Sequence, residues 1–236
     1  MAATRIFVLT GAGVSAESGL STFRDQGGLW ARYDLAEVAS IAGYERNPAK
    51  VLEFYNLRRA NLAGVEPNAA HQALARLERS GQGRAVTLCT QNVDDLHERG
   101  GSQRVIHMHG ELNKVRCHGC GAVSFADGDL RLDLACDACG RIGGLRPHVV
   151  WFGEAPLELD AIYDKLARAD LFVSIGTSGA VYPAAGFVAA ARRAGLETME
   201  INLEPSENAA LFNSARYGKA TEAVPAWVDE LCAGKG

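Results

Sequence analysis

The chain has 236 residues, 47% hydrophobic and 22% charged, with 24 Lys+Arg against 28 Asp+Glu and a formal net charge of −4. That balance excludes a disordered or fibrous chain, and its slight acidity lacks the basic footprint of a nucleic-acid binder. No apolar run approaches the ~20 residues of a membrane span, so neither nucleic acid nor a membrane is an expected partner.

Residues 1–10, MAATRIFVLT, run directly into Gly11 and read as a first strand rather than a signal peptide. Apolar runs at 85–90, before QNVDD, and at 171–175, before GTS, read as two more buried strands. A fourth strand covers 197–201, behind an alanine-rich helix over 184–194 that Gly195 stops. Strands alternating with helices indicate an open α/β sheet with ligands bound beyond the carboxyl ends of the strands. Those ends carry Gly, Asn, Thr and Ser, a site signature more than a core signature.

Two stretches break the alternation. Residues 34–82 carry helical patterns at 48–61 and 68–78, the latter opening with an Asn68 cap behind Pro67, and 113–145 hold paired cysteines among glycines. We read them as two insertions that pack together as a smaller lobe. The organisation expected is a sheet domain from residues 1–33, 83–112 and 146–236, a helical insertion at 34–82 and a zinc-binding module at 113–145.

Several motifs carry chemistry. Gly11-Ala12-Gly13-Val14-Ser15-Ala16 follows the first strand and matches the G-x-G-x-x-G/A fingerprint, in which backbone N–H groups approach a pyrophosphate. The acidic residue that closes a second strand some 20 positions on in dehydrogenases is not evident, since Asp34 lies among loop or helix residues. A hydride-transfer enzyme is therefore disfavoured, and Asn202 and Glu204 are candidates for the adenosine ribose. Cys117-x-x-Cys120 and Cys136-x-x-Cys139, fifteen residues apart, have the spacing of a tetrahedral Zn²⁺ site. Four thiolates leave no position for a reactive water, so that metal is structural. With no export signal, this cysteine usage points to a reducing cytoplasm. Cys89 and Cys232 read as small buried hydrophobes, and His118 as a surface residue. In His107-Met108-His109 one imidazole suits a general base, and for His107 a structural role is the default. Gln-Asn-Val-Asp-Asp at 91–95 can meet a polar ligand. The segment 146–154 reads as an edge strand able to add a peptide by β-augmentation.

In order, GAGVSAESGLSTFR, TQNVDDLH, HMHGEL, the two CxxC pairs, RPHVVWFGE, GTS before VYPAA, and INLEP resemble the sirtuins, the NAD-dependent protein lysine deacylases, over nearly the whole chain. The resemblance implies a Rossmann-like parallel-sheet domain of α/β class with a smaller lobe made of a zinc-ribbon module and a helical insertion. It implies NAD, consumed as co-substrate, held by Gly11, Ala12, Gly13, Ser15, Ala16, Glu17, Thr22, Phe23, Arg24 and Trp30. Gln91, Asn92, Val93 and Asp94 would line the ribose and carboxamide pocket. Gly176, Thr177, Ser178, Asn202, Leu203, Glu204 and Ala220 would surround the adenosine half. His109 matches the family's catalytic base and His107 does not. Val150, Phe152, Gly153 and Glu154 would face the acylated lysine of a protein substrate. In this family the acyl oxygen attacks C1′ of the nicotinamide ribose, and the products are nicotinamide, 2′-O-acyl-ADP-ribose and free lysine.

Tyr55 and Arg58, at i and i+3 on an expected helix, share one face. With Ala39 they resemble the class III, bacterial-type branch that removes succinyl or malonyl groups. Ala39 would leave the pocket roomy, and Arg58 and Tyr55 would bind the distal carboxylate. An NAD-dependent ADP-ribosyltransferase and a noncatalytic NAD- or acyl-lysine-sensing module are the competing readings. The Tyr55/Arg58 pair argues against the first and an intact His109 against the second.

Overall fold

Residues 5–10 are Arg-Ile-Phe-Val-Leu-Thr, and every one after Arg5 is buried, as befits a strand covered on both faces. The computed structural model describes residues 4–20, 33–80 and 83–234. In chain order its elements begin with β1 (Arg5–Thr10), α1 (Gly13–Ala16), α2 (Leu35–Val38), α3 (Ile41–Arg46), α4 (Pro48–Ala63) and α5 (Ala69–Arg79). Next come β2 (Ala85–Thr90), α6 (Leu96–Arg99), β3 (Val105–His107), β4 (Gly110–Cys117), β5 (Val123–Phe125) and β6 (Leu145–Val149). The remainder is α7 (Leu159–Ala167), β7 (Leu171–Ile175), α8 (Phe187–Arg193), β8 (Glu197–Asn202), β9 (Ser214–Tyr217) and α9 (Ala220–Cys232).

Six strands form one sheet in the order β3-β2-β1-β7-β8-β9, with every neighbouring pair parallel. The chain builds outward from β1 in one direction, then returns to β7 and builds in the other. The β1/β7 junction is therefore the topological switch point, where ligands of such sheets bind. Alternate residues of β1 face opposite layers. Ile6 and Val8 pack with α5 and α9 through Leu74, Leu77, Val224 and Trp227. Phe7 and Leu9 pack with α7 and α8 through Ile162, Leu166, Phe187 and Val188. The α/β, Rossmann-like expectation holds.

The expected helix over 184–194 is a short 3₁₀ turn at Ala184–Gly186 followed by α8. Asp34, left among loop or helix residues, caps α2 by accepting the Ala36 N–H at 2.9 Å. Helix α5, drawn with the helical insertion, lies in the same cluster as β1 and α9 and covers the main sheet. Its buried Ala70, Ala73, Leu74 and Leu77 share that cluster with Val224, Trp227 and Val228 of α9. By contrast, α4 packs Phe54 and Tyr55 against Val149 and Trp151, and Leu52 against Val115 and Leu130.

The second sheet, β5-β4-β6, is antiparallel. It crosses the expected boundaries at 112/113 and 145/146, because β4 and β6 each run from the main domain into the cysteine module as one paired ribbon. Strand β6 is an edge of that sheet, whereas the expected strand character of residues 150–154 reduces to a single bridge between Ser40 and Phe152. Cys89 is fully buried and Cys232 half-buried. Among the described residues no helix is long and apolar enough to cross a membrane.

Candidate functional site

At the switch point the glycine turn after β1 meets the turn after β7. The Gly11 N–H donates to the Ile175 carbonyl at 3.0 Å, and the Gly13 N–H to the Gly176 carbonyl at 2.9 Å. A Cβ on Gly13 would stand 2.7 Å from Gly176 Cα, so the two backbones touch only because neither residue has a side chain. The glycines thus close the β1–α1 turn onto the β7 turn, and these two N–H groups, expected to approach a pyrophosphate, already have carbonyl partners. Ala12 precedes α1 and Ala16 ends it.

Ser15 on α1 is buried and reaches across to the turn after β2. Asn92 Nδ2 donates to Ser15 Oγ at 3.1 Å, and Ser15 Oγ donates to Asp94 Oδ2 at 3.1 Å. The Asn92 N–H donates to Thr90 Oγ1 at 3.0 Å, and Asp94 Oδ1 accepts the Leu96 N–H at 3.2 Å. Burial raises the Asp94 carboxyl above the ordinary carboxylate range, against the Leu96 and Ser15 hydrogen bonds that lower it. Val93 accepts the Leu112 N–H at 2.7 Å, tying this turn to β4.

His109 follows β3 by two residues. Its Nδ1 lies 3.0 Å from the Gln91 carbonyl, which can only accept, so Nδ1 carries the proton and Nε2 keeps a lone pair. Burial lowers its pKa, against the Gln91 bond. His107 differs. It is buried with Nε2 2.7 Å from Glu98 Oε1, and the Glu98 carboxylate outweighs the downward pull of burial to raise its pKa.

Across from His109 lie the expected substrate residues. The Val150 N–H donates to the His109 carbonyl at 2.8 Å, and the Phe152 N–H to the Ala39 carbonyl at 2.9 Å. Phe152 is 56% exposed, and Gly153 turns the chain with φ +92°. Glu154 points inward, accepting from Arg146 Nη1 at 2.7 Å, Arg146 Nη2 at 2.9 Å and the Trp151 N–H at 2.8 Å. Tyr55 is buried with its hydroxyl accepting Trp151 Nε1–H at 2.9 Å. The Arg58 guanidinium lies 5.6 Å from the Tyr55 ring centroid and 5.8 Å from that of Phe54, and burial lowers its pKa. Sequence reasoning missed Trp151 and Arg146, which support this wall. The Arg146 guanidinium stacks 3.4 Å from the Trp151 ring centroid. Both stand in the apolar segment 146–154 and its RPHVVWFGE motif, which singled out neither of them.

Beyond the switch point, Thr177 Oγ1 pairs with Ser174 Oγ at 2.8 Å, and Asn202 Nδ2 donates to the Thr177 carbonyl at 2.8 Å. Ser178 Oγ accepts the Ala180 N–H at 3.3 Å. Leu203 is 65% exposed, and Glu204 is exposed beside it. Ala220 opens α9. Glu17, expected at the cofactor, instead accepts the Thr221 N–H and Oγ1–H, both at 2.9 Å, at the start of that helix. A carboxylate there complements the helix dipole. Thr22, Phe23, Arg24 and Trp30 lie outside the described residues. The polar groups thus fall in two sets flanking the switch point, Ser15, Asn92 and Asp94 on one side and Thr177, Ser178 and Asn202 on the other. Two sets of hydroxyls and amides along one sheet edge fit the two halves of a dinucleotide.

The Sγ atoms of Cys117, Cys120, Cys136 and Cys139 all lie within 4.8 Å of one another, with Cys117–Cys139 and Cys120–Cys136 at 3.8 Å. That is far beyond the roughly 2.05 Å of a disulfide. It equals the edge of a sulfur tetrahedron around zinc with bonds of about 2.3 Å. The quartet therefore fits a structural Zn²⁺, and the exposed His118 is outside it.

Comparison with known proteins gives one family. A model described as the Sir2 family matches residues 11–183. An NAD-dependent protein deacylase of Caulobacter vibrioides is 64% identical over 231 residues, covering 97% of each chain. The NAD-dependent protein deacylase SIR2rp3 of Trypanosoma brucei brucei is 52% identical, covering 98% of this chain and 96% of its own. Among solved structures, a Sir2 homolog–NAD complex superimposes with a TM-score of 0.89 at 39% identity, covering 99% of this chain and 91% of that one. A Sir2 variant with a deacetylated p53 peptide and 3′-O-acetyl-ADP-ribose gives 0.79 at 29% identity, covering 97% and 94%.

Proposed function

The chain belongs to the Sir2 family and is an NAD-dependent protein deacylase, and we propose that it removes succinyl and malonyl as well as acetyl groups from lysine side chains. The observation that carries the acidic-acyl reading is the pairing of Tyr55 with Arg58 on one face of α4, against Trp151 and close to Ala39. Tyr55 uses its oxygen to accept from Trp151, so its hydroxyl proton remains available to a carboxylate oxygen. Arg58 adds a planar set of donors that matches a carboxylate. The small Ala39 side chain leaves room for a dicarboxylic acyl chain.

For NAD, Ser15, Asn92 and Asp94 would hold the nicotinamide ribose and carboxamide, and Thr177, Ser178 and Asn202 the adenosine half. Bound NAD supplies a weak bond between nicotinamide and the ribose C1′ carbon, which makes that carbon open to the acyl oxygen. His109 accepts a proton at Nε2 from the ribose hydroxyls, while its Nδ1–H stays on the Gln91 carbonyl and fixes the ring. Ser15 orients Asn92 and Asp94 through its two hydrogen bonds. The 150–154 segment, tied to His109 and to Ala39 by backbone hydrogen bonds, presents the peptide of the protein substrate. The cysteine quartet would hold Zn²⁺ with a closed coordination sphere, and the metal's part is to hold the small lobe together.

Steady-state rates on succinyl- and acetyl-lysine peptides, compared for the wild type and Arg58→Met, test the specificity. Hydrogen bonds to a charged group contribute about 1.5–3 kcal/mol, so desuccinylation should fall roughly 10–150-fold. Deacetylation, with no carboxylate to pair, should fall much less. Equal losses on both substrates would overturn the acidic-acyl reading.

A further inference from the structure

Glu200 lies on β8 two residues before Asn202, just outside the INLEP motif, yet only 1% of it is exposed. Burying a carboxylate is costly unless its oxygens accept hydrogen bonds. Here each oxygen has a donor from a different segment. Oε1 accepts the Ser206 N–H at 3.3 Å, and Oε2 accepts the Tyr217 hydroxyl at 3.1 Å. Ser206 lies in the loop after β8 and Tyr217 ends β9, so one side chain ties three stretches of chain together. That loop is joined in turn to the turn after β7, because the Glu207 N–H donates to the Ser178 carbonyl at 3.0 Å. Ser206 Oγ donates to Asn208 Oδ1 at 2.9 Å, and Asn208 Nδ2 to the Ala185 carbonyl at 2.8 Å. On the other side, Tyr217 stands opposite Asn202 in the β8/β9 register. The Gly218 N–H donates to the Asn202 carbonyl at 2.9 Å, just before α9 opens at Ala220.

We infer that Glu200 is a positioning residue for NAD, holding in register the three segments that receive its adenosine half. Those segments are the turn at Ser178, the end of β8 with Asn202, Leu203 and Glu204, and the β9–α9 turn that leads to Ala220. Leu203 and Glu204 are exposed on a stretch bounded by Asn202 and Ser206. Asn202 fixes the first of these ends, its Oδ1 accepting the Leu203 N–H at 3.0 Å, and Glu200 fixes the second. Without the carboxylate, the Ser206 N–H and the Tyr217 hydroxyl lose their common acceptor, and the loop and the β9–α9 turn are no longer held at one spacing. His109 and the acyl pocket take no part in these bonds. The inference rests on the reading that Thr177, Ser178 and Asn202 hold the adenosine half.

The test measures deacetylation of an acetyl-lysine peptide, varying NAD and peptide separately, for the wild type, Glu200→Leu, Glu200→Gln, Tyr217→Phe and Asn202→Ala. Thermal unfolding is the fold check. Leucine removes both acceptors, whereas glutamine keeps an oxygen for the Ser206 N–H and offers its amide to the Tyr217 oxygen. Glu200→Leu should raise KM for NAD roughly 10-fold, the scale of two hydrogen bonds lost, with kcat and the peptide KM unchanged. Glu200→Gln should recover most of that loss. Tyr217→Phe, at a residue 49% exposed, removes one of the two bonds and should raise KM for NAD about threefold. Titration with ADP-ribose, which carries the adenosine half and no nicotinamide, should show the same weakening at equilibrium. A folded Glu200→Leu enzyme with wild-type KM for NAD overturns the proposal, as does an equal loss toward NAD and peptide, the mark of a merely structural role. If Glu200→Leu does not fold, Tyr217→Phe decides, and wild-type KM for NAD and wild-type ADP-ribose affinity in that variant overturn the proposal. If Asn202→Ala is impaired toward NAD and the Glu200 variants are not, only the role of Glu200 fails. If Asn202→Ala is itself unimpaired, the adenosine reading fails and the proposal falls with it.

Discussion

His109 Nδ1 and the Gln91 carbonyl face each other at 3.0 Å, and that contact determines which nitrogen of the ring acts as a base. Burial lowers the His109 pKa below the ordinary value of 6.5. A lowered pKa keeps the neutral, proton-accepting form populated further into acid. The acid limb of kcat/KM for deacylation should therefore fall below pH 6.5. A pH–rate profile measures it, and an acid limb above that value would contradict the assignment of His109 as the base.

Tyr55 and Trp151 form a second buried pair, with the indole N–H donating to the phenol oxygen at 2.9 Å. Tyr55→Phe leaves that N–H without its partner in the core. The expected cost is about 1–3 kcal/mol of stability, read from denaturant midpoints. For that reason Tyr55→Phe affects folding together with any acyl carboxylate contact, and Arg58→Met is the cleaner probe of specificity. A Tyr55→Phe protein as stable as the wild type would show that this hydrogen bond contributes nothing net.

The four thiols are spaced for zinc and sit at the ends of the β4 ribbon and the loops it carries. Purified protein should contain one zinc per chain by elemental analysis. Chelation or Cys117→Ala should lower the unfolding temperature and abolish activity together, because metal binding and folding of such modules are linked. Metal-free protein with unchanged stability and turnover would remove the zinc assignment.

Histidines link stability to pH in opposing directions. Burial lowers His71 to about 4 and His97 well below 6.5, so below pH 6.5 the unfolded chain binds protons that the folded chain refuses. Their effect is a loss of stability as pH falls. His107, raised by Glu98, acts the other way: its contribution is complete below its unfolded pKa and is lost as pH rises through the folded one. Below pH 6.5 His107 is protonated in both states and offsets nothing, so the loss from His71 and His97 is unopposed there. Denaturant unfolding at pH 6.5 and pH 5.0 should give the lower stability at pH 5.0. Equal or higher stability at pH 5.0 would mean that His71 and His97 are not buried neutral.

Three of the four central strands were legible because a strand covered on both faces needs a largely apolar run, as at 6–10, 85–90 and 171–175, whereas the fourth, expected at 197–201, was legible from the alanine-rich helix and Gly195 before it. The cysteine quartet was legible from spacing alone, and the shared face of Tyr55 and Arg58 from helical period. The partner of α5 was not. Its apolar stripe announces a helix but carries no mark of whether the main sheet or the small lobe will cover it. Side-chain destinations were the least legible. Glu17 and Glu154 stand in motifs aligned with the cofactor and the peptide, yet their carboxylates meet Thr221 and Arg146. The Trp151–Tyr55 contact spans 96 residues and exists only once β6 has folded back along β4. Such contacts are set by tertiary geometry, which local pattern does not encode.

The most direct measurement follows one acyl-lysine peptide by mass spectrometry alongside nicotinamide release, with and without NAD, for the wild type and for His109→Ala. Acyl loss should require NAD and match nicotinamide one for one. It should fall roughly 10²–10⁴-fold in a folded His109→Ala enzyme, the usual worth of a general base. Acyl removal that proceeds equally without NAD, or undiminished without the imidazole, would contradict the account.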